Sequence, residues 1–134
     1  LHPANTLSLH DALPILLNCI DGRTQIPVIK WFKENFDVDY VDLITEPGMD
    51  KALSQGYWVE AERLREKVII SITAHDSNIV AVVGHYDCAA NPVSDCKHFR
   101  DIIASTYIVK SWCLPVRVVG LWVDEFWCVH VVSK

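Results

Sequence analysis

The sequence predicts an α/β domain: a mostly parallel five-stranded sheet with helices on its faces and an antiparallel last strand. Three observations predict it. Short runs rich in valine, isoleucine and leucine alternate with longer amphipathic stretches, giving the order β-α-β-α-β-α-β-β. The last two apolar runs, residues 116–123 and 126–132, are separated only by Asp124 and Glu125. A link that short permits an antiparallel return but no parallel crossover. Right-handed crossovers then favour the strand order 2-1-3-4-5, with its reversal between the first and third strands.

Each element has its own justification. Residues 1–15, LHPANTLSLHDALPI, contain no Lys or Arg and are interrupted by Pro3 and Pro14, so they do not read as a secretory signal. The phrase SLHDALPI resembles translated sequencing adapter of the kind found in assembled metagenomic fragments. A non-native or disordered leader is expected there, with His2, His10 and Asp11 outside any site, and a single domain over residues 16–134. Residues 16–23, LLNCIDGR, are a short apolar strand running into a polar turn. Pro27 is expected to open a helix through about Phe36, with Val28, Ile29, Phe32 and Phe36 as its apolar face. Residues 38–44 form the second strand. Glu46-Pro47-Gly48 breaks the chain, and a short helix over about residues 49–55 stops at Gly56.

A long amphipathic helix over residues 57–75 follows. Tyr57, Ala61, Leu64, Val68 and Ile72 recur at helical spacing, while Glu60, Glu62, Arg63, Arg65, Glu66 and Lys67 supply a solvated face. His75 falls at its end, where a histidine suits the C-terminal dipole. Residues 79–84, IVAVVG, are the central buried strand. Asn91-Pro92 suits an N-cap and first helical position, and the helix runs to about Trp112 with Phe99, Ile102, Ile103 and Thr106 inward. His98, on that helix, reads as a solvated histidine.

Composition narrows the function. With 51% hydrophobic and 22% charged residues over 134 positions, a packed fold is expected. A net charge of −5 with no basic run excludes nucleic acid or an anionic membrane as the main partner. No apolar run reaches the roughly 18 residues that span a bilayer. Five cysteines without regular spacing fit a reduced, cytoplasmic setting better than a disulfide framework. Cys96, Cys113 and Cys128 lie in apolar stretches and read as small core residues.

The chemistry lies at two strand ends. After the central strand, His85 and Cys88 are separated by two residues, a spacing that lets one nitrogen and one sulfur reach the same zinc ion. After the first strand, Cys19, Asp21 and Arg23 alternate, so an extended backbone turns a thiolate, a carboxylate and a guanidinium to one side. The expected strand order brings these two ends to the switch point of the sheet, where ligands of open α/β folds bind.

At these residues the chain resembles the β-class carbonic anhydrases, which carry Cys-x-Asp-x-Arg after the first core strand and Gly-His-x-x-Cys after a later one. Here the motifs read CIDGR and GHYDC, and the similarity extends over residues 16–132. The resemblance implies that Cys19, His85 and Cys88 bind Zn2+, with Asp21 and Arg23 as the pair beside the metal. It implies hydration of carbon dioxide to bicarbonate, through a hydroxide formed from water at the zinc's fourth position. It also implies a closed state, in which Asp21 leaves Arg23 and takes that position.

The chain departs from the pattern where Ala89 and Ala90 replace the usual glycines after the second zinc cysteine. TEPGMD (residues 45–50) also stands in place of Arg-Asn-Ala-Gly. Carbonyl sulfide or carbon disulfide hydrolysis on the same scaffold, or a non-catalytic closed zinc domain, are the alternative functions. Trp122 and Trp127 in the terminal strands suggest exposed apolar area and, with the resemblance, a homodimer.

Overall fold

The computed structural model describes residues 12–134. Its elements are β1 (Ile15–Asn18), α1 (Gly22–Phe36), β2 (Asp42–Thr45), α2 (Met49–Ser54), α3 (Trp58–His75), β3 (Ile79–His85), α4 (Asp95–Ser111), β4 (Arg117–Val123) and β5 (Val129–Ser133). The sheet runs β2-β1-β3-β4-β5, parallel except for the antiparallel β4–β5 pair. This is the expected architecture. The leader falls largely on residues outside those described, although Pro14 and Ile15 are buried and Ile15 already pairs with Asp42 and Val80.

Alternation along the strands splits the core in two. Ile15, Leu17, Val80 and Val82 point to one face, where Met49 and Leu53 of α2, Leu64 and Val68 of α3 and Val109 of α4 cover them. Leu16, Ile79, Ala81 and Val83 point to the other, against Val28 and Phe32 of α1. The crossover from β1 to β2 runs one way along the sheet and the later ones run back, so right-handedness puts α1, alone among the helices of the described residues, on its face. Each fully buried aliphatic side chain contributes about 1.5–3 kcal/mol, so both faces matter to stability.

Helix α4 lies close on the strands because two glycines make room. A Cβ on Gly84 would come within 2.8 Å of Ile102 Cδ1, and one on Gly120 within 2.7 Å of Ile102 Cγ2.

Several boundaries differ from expectation. Helix α1 begins at Gly22 rather than Pro27, because Asp21 caps it by accepting from the Arg23 amide; Pro27 lies inside the helix. Helix α4 begins at Asp95, capped by the Ser94 hydroxyl, because Asn91 is drawn into a buried cluster instead of capping. Phe99 and Ile103 lie at its exposed margin, while Ile102 and Thr106 face inward. Tyr57 is exposed at the N-cap of α3. His75 ends α3 as expected, and its Nδ1 lies 2.6 Å from Asp42 Oδ2. Cys96, Cys113 and Cys128 are all exposed, correcting their assignment to the core. Trp122 is buried, and Trp127 packs against the α1 side of the core.

Candidate metal centre

The turn after β1 is pinned from several sides. Asn18 Nδ2 donates to Thr24 Oγ1 (3.0 Å), the Thr24 hydroxyl donates to the Asp21 carbonyl (2.8 Å), and Gln25 donates to the Cys19 carbonyl (3.0 Å). Cys19 is thereby held at the C-terminal end of β1, beside the end of β3 where His85 emerges.

Cys19, His85 and Cys88 are buried, and one ligand atom from each lies within 4.8 Å of the other two. The two sulfurs are 4.0 Å apart. A tetrahedral zinc with ordinary bond lengths needs about 3.8 Å between two sulfurs, so this spacing suits the ion. Histidine supplies the sharper test. His85 Nδ1 sits 2.7 Å from the Tyr86 carbonyl, which can only accept, so the ring proton is on Nδ1. In the neutral ring Nε2 is then the acceptor, buried and without a hydrogen-bond partner. A buried nitrogen lone pair facing two sulfurs is what a soft divalent metal satisfies.

Charge within the trio is uneven. The hydrogen bond from Cys88, with smaller help from His85 and the Gly48 amide, lowers the Cys19 pKa to about 4 against the opposing effect of burial. Sharing with Cys19, then burial, drives the Cys88 thiol upward. Burial pulls the His85 pKa down, but Cys19, the Tyr86 carbonyl and Asp21 outweigh it and raise the net value. The Gly48 amide donates to Cys19 Sγ at 3.4 Å. For Cys88 the favourable donors are the amides of Ala90 and Asn91 rather than a helix end, because α4 starts four residues further on.

Asp21 Oδ2 lies 4.0 Å from His85 Nε2. Arg23 grips this carboxylate through Nη2 (2.7 Å) and Nε (3.1 and 3.2 Å), and its own amide donates to Oδ1 at 2.9 Å. That grip lowers the Asp21 pKa to about 2. Sequence alone missed the two groups that hold Arg23 in turn. Asp87 accepts from it through Oδ2 (3.3 Å) and its carbonyl (3.1 Å), and the Trp127 ring lies 4.7 Å beneath the guanidinium. Asp87 sits inside the His-x-x-Cys spacing and was visible there; Trp127 comes from the β4–β5 loop and carried no local signal.

A cleft of about 280 Å³ opens beside Cys19 and Asp21, walled by Ile20, Pro47, Ala89 and Ala90. Three of these four wall residues belong to the segments where the chain departs from the motif pattern.

A family model described as "Putative carbonic anhydrase" matches residues 10–133. The chain belongs to the β-class carbonic anhydrase family. Solved β-carbonic anhydrases share the fold. The β-carbonic anhydrase isoform I of the protozoan Trichomonas vaginalis superposes with a TM-score of 0.62 at 13% identity, over 92% of this chain and 84% of that one. A carbonic anhydrase from Glaciozyma antarctica gives 0.64 at 14%, over 96% and 87%. No curated protein sequence matches the chain. Within this family the Cys–His–Cys cluster is a group able to hold a metal ion.

Proposed function

We propose that this chain is a zinc-dependent carbonic anhydrase that interconverts carbon dioxide and bicarbonate. In this reading Cys19, His85 and Cys88 hold the ion, and Asp21 and Arg23 act beside it. The observation that carries the proposal is the bare, buried Nε2 of His85, facing two thiol sulfurs with an arginine-held carboxylate 4.0 Å away. Bound zinc supplies a Lewis acid that makes a nucleophile from water near neutral pH.

The chain's own residues do the rest. The Tyr86 carbonyl keeps the ring proton on Nδ1 and so keeps Nε2 aimed at the metal. Asp21, with its pKa near 2, stays ionised at neutral pH. It therefore orients a donor by accepting a hydrogen bond and is a poor proton carrier itself. Arg23 fixes the direction of that carboxylate, and Asp87 with Trp127 fixes Arg23. Ile20, Pro47, Ala89 and Ala90 give the cleft an apolar wall suited to a small uncharged substrate.

The apolar wall also favours a second reading. Carbonyl sulfide and carbon disulfide are larger and more polarisable than carbon dioxide and equally linear, and Pro47, Ala89 and Ala90 are where the chain leaves the family pattern. A homodimer is supported by exposed Phe99, Ile103, Tyr107 and Val131, which share one side of α4 and β5, and light scattering would resolve it. Free cysteines throughout the described residues favour a reducing, cytoplasmic location.

The test is stopped-flow hydration on protein of known zinc content, across neutral to alkaline pH, beside Cys88→Ser. Hydration far above background and lost in the variant is expected. Zinc bound at one per chain without hydration of carbon dioxide or its sulfur analogues would instead establish a closed, non-catalytic centre.

A further inference from the structure

Behind the three candidate ligands lies a second set of ionisable groups that the chemistry above does not use. Asp50, the second residue of α2, is 1% exposed, and its Oδ2 is 2.6 Å from Nδ1 of His98, also 1% exposed. Its Oδ1 accepts from Asn91 Nδ2 (3.1 Å) and from the Lys51 amide (3.0 Å). The same Asn91 amide group reaches Asp101 Oδ2 (3.1 Å), and Asp101 pairs at its outer edge with Lys97. Ser105 donates to the Asp50 carbonyl (2.9 Å). The expectation of a solvated His98 is thus overturned: its ring lies against Trp122 and a buried carboxylate.

A buried charge is costly unless its partners are well placed, so such a cluster needs a reason. Its position supplies one. Two residues before Asp50, the Gly48 amide donates to Cys19 Sγ. Three residues after Cys88, Asn91 bonds Asp50 through its side chain and the Cys88 carbonyl through its amide (3.2 Å). Against Asp50 Oδ2 itself stands Gly84, the residue before His85, so close that a Cβ there would be 2.8 Å away. One carboxylate therefore touches the segments that carry His85 and Cys88, and sits two residues from the amide that meets Cys19 Sγ. The Gly48 turn is further locked by Ala90, 3.1 Å from where a Gly48 Cβ would be.

We propose that Asp50, clamped by His98 and Asn91, is a positioning residue for the metal centre. It ties the Gly48 turn to the Cys88–Asn91 turn, and so sets the Gly48 amide on Cys19 Sγ and the course of the chain around Cys88. This rests on the reading of Cys19, His85 and Cys88 as metal ligands. Outer partners of this kind typically change metal affinity by about ten- to a hundredfold when removed.

The experiment measures zinc affinity by competition with a chromophoric chelator, together with the sulfur-to-cobalt charge-transfer band of the Co2+-loaded protein. The full chain is compared with Asp50→Asn, Asn91→Ala and His98→Asn. Wild type binding one zinc per chain, with affinity about ten- to a hundredfold weaker in Asp50→Asn and Asn91→Ala and a shifted cobalt band, is expected. His98→Asn keeps a donor at the place of Nδ1 toward Asp50, so it should fall between wild type and Asp50→Asn. It also serves as the folded reference if Asp50→Asn loses its circular dichroism. Folded variants with wild-type zinc affinity and an unchanged cobalt band overturn the positioning role while leaving the metal centre standing. A wild type that binds no zinc overturns both.

Discussion

Replacing Gly84 by alanine tests the close approach of α4 and Asp50 to β3. In most strand positions the change would help: alanine lowers the entropy of the unfolded chain and stabilises by about 0.4–1 kcal/mol where the backbone tolerates it. Here the new methyl would meet Asp50 Oδ2 and Ile102 Cδ1 at 2.8 Å and Ile102 Cγ1 at 2.9 Å. None of these can retreat easily, since Asp50 is held by His98 and Asn91 and Ile102 is fully buried. Overpacking of this kind costs about 1–3 kcal/mol, which exceeds the entropic gain. A net loss of about 1–2 kcal/mol is expected, a large share of a total stability of about 5–15 kcal/mol.

Urea unfolding in the presence of chelator measures this loss without any contribution from metal. Trimming the neighbour supplies the control, because Ile102→Val removes Cδ1 and one of the clashes. Alone, Ile102→Val should cost about 0.5–1.5 kcal/mol as a cavity. Together with Gly84→Ala it should cost less than the sum by at least about 0.5 kcal/mol. A Gly84→Ala protein as stable as wild type, or a strictly additive double variant, would refute the packing argument.

Two further outcomes follow from other parts of the molecule. With zinc bound, Cys96, Cys113 and Cys128 should react rapidly with a thiol reagent, and Cys19 and Cys88 only after chelation or denaturation; rapid titration of all five in the loaded protein would contradict the site. The Asp21 pKa is lowered on folding, from 3.8 to about 2, so its contribution to stability is complete above about pH 4. That contribution fades as pH falls through about 2, and Asp21→Asn should flatten this part of an acid-unfolding profile.

The fold was legible because its signals are local and redundant. Buried strands such as IVAVVG announce themselves by β-branched density, and the short link at Asp124-Glu125 decides the last strand's direction. The two motif turns were equally plain, since CIDGR and GHYDC each keep their chemistry within five residues. What failed was inference from neighbours in sequence to neighbours in space. Cys96, Cys113 and Cys128 have apolar neighbours yet point outward. Asn91-Pro92 carries a helix-start signature, but bonds to Asp50 and Asp101 outcompete it and leave the cap to Ser94. The Asp50–His98 pair spans 48 positions, and no spacing rule reaches that far.

One residue joins the candidate chemistry to the mechanics of the fold. Asp21 is the N-cap of α1, the single helix over its face of the sheet among the described residues, and its Oδ1 accepts the Arg23 amide at 2.9 Å. Any swing of this carboxylate toward the three donors must give up that bond as well as the guanidinium. Losing an N-cap costs about 0.5–2 kcal/mol. If Asp21 serves as a fourth ligand in a closed state, the equilibrium between a carboxylate on the arginine and one on the metal would be weighted by helix fraying, by a factor of about 2 to about 30 from the cap alone. Substitutions that firm up the first turn of α1 would then disfavour such a closed state without touching the cleft's wall.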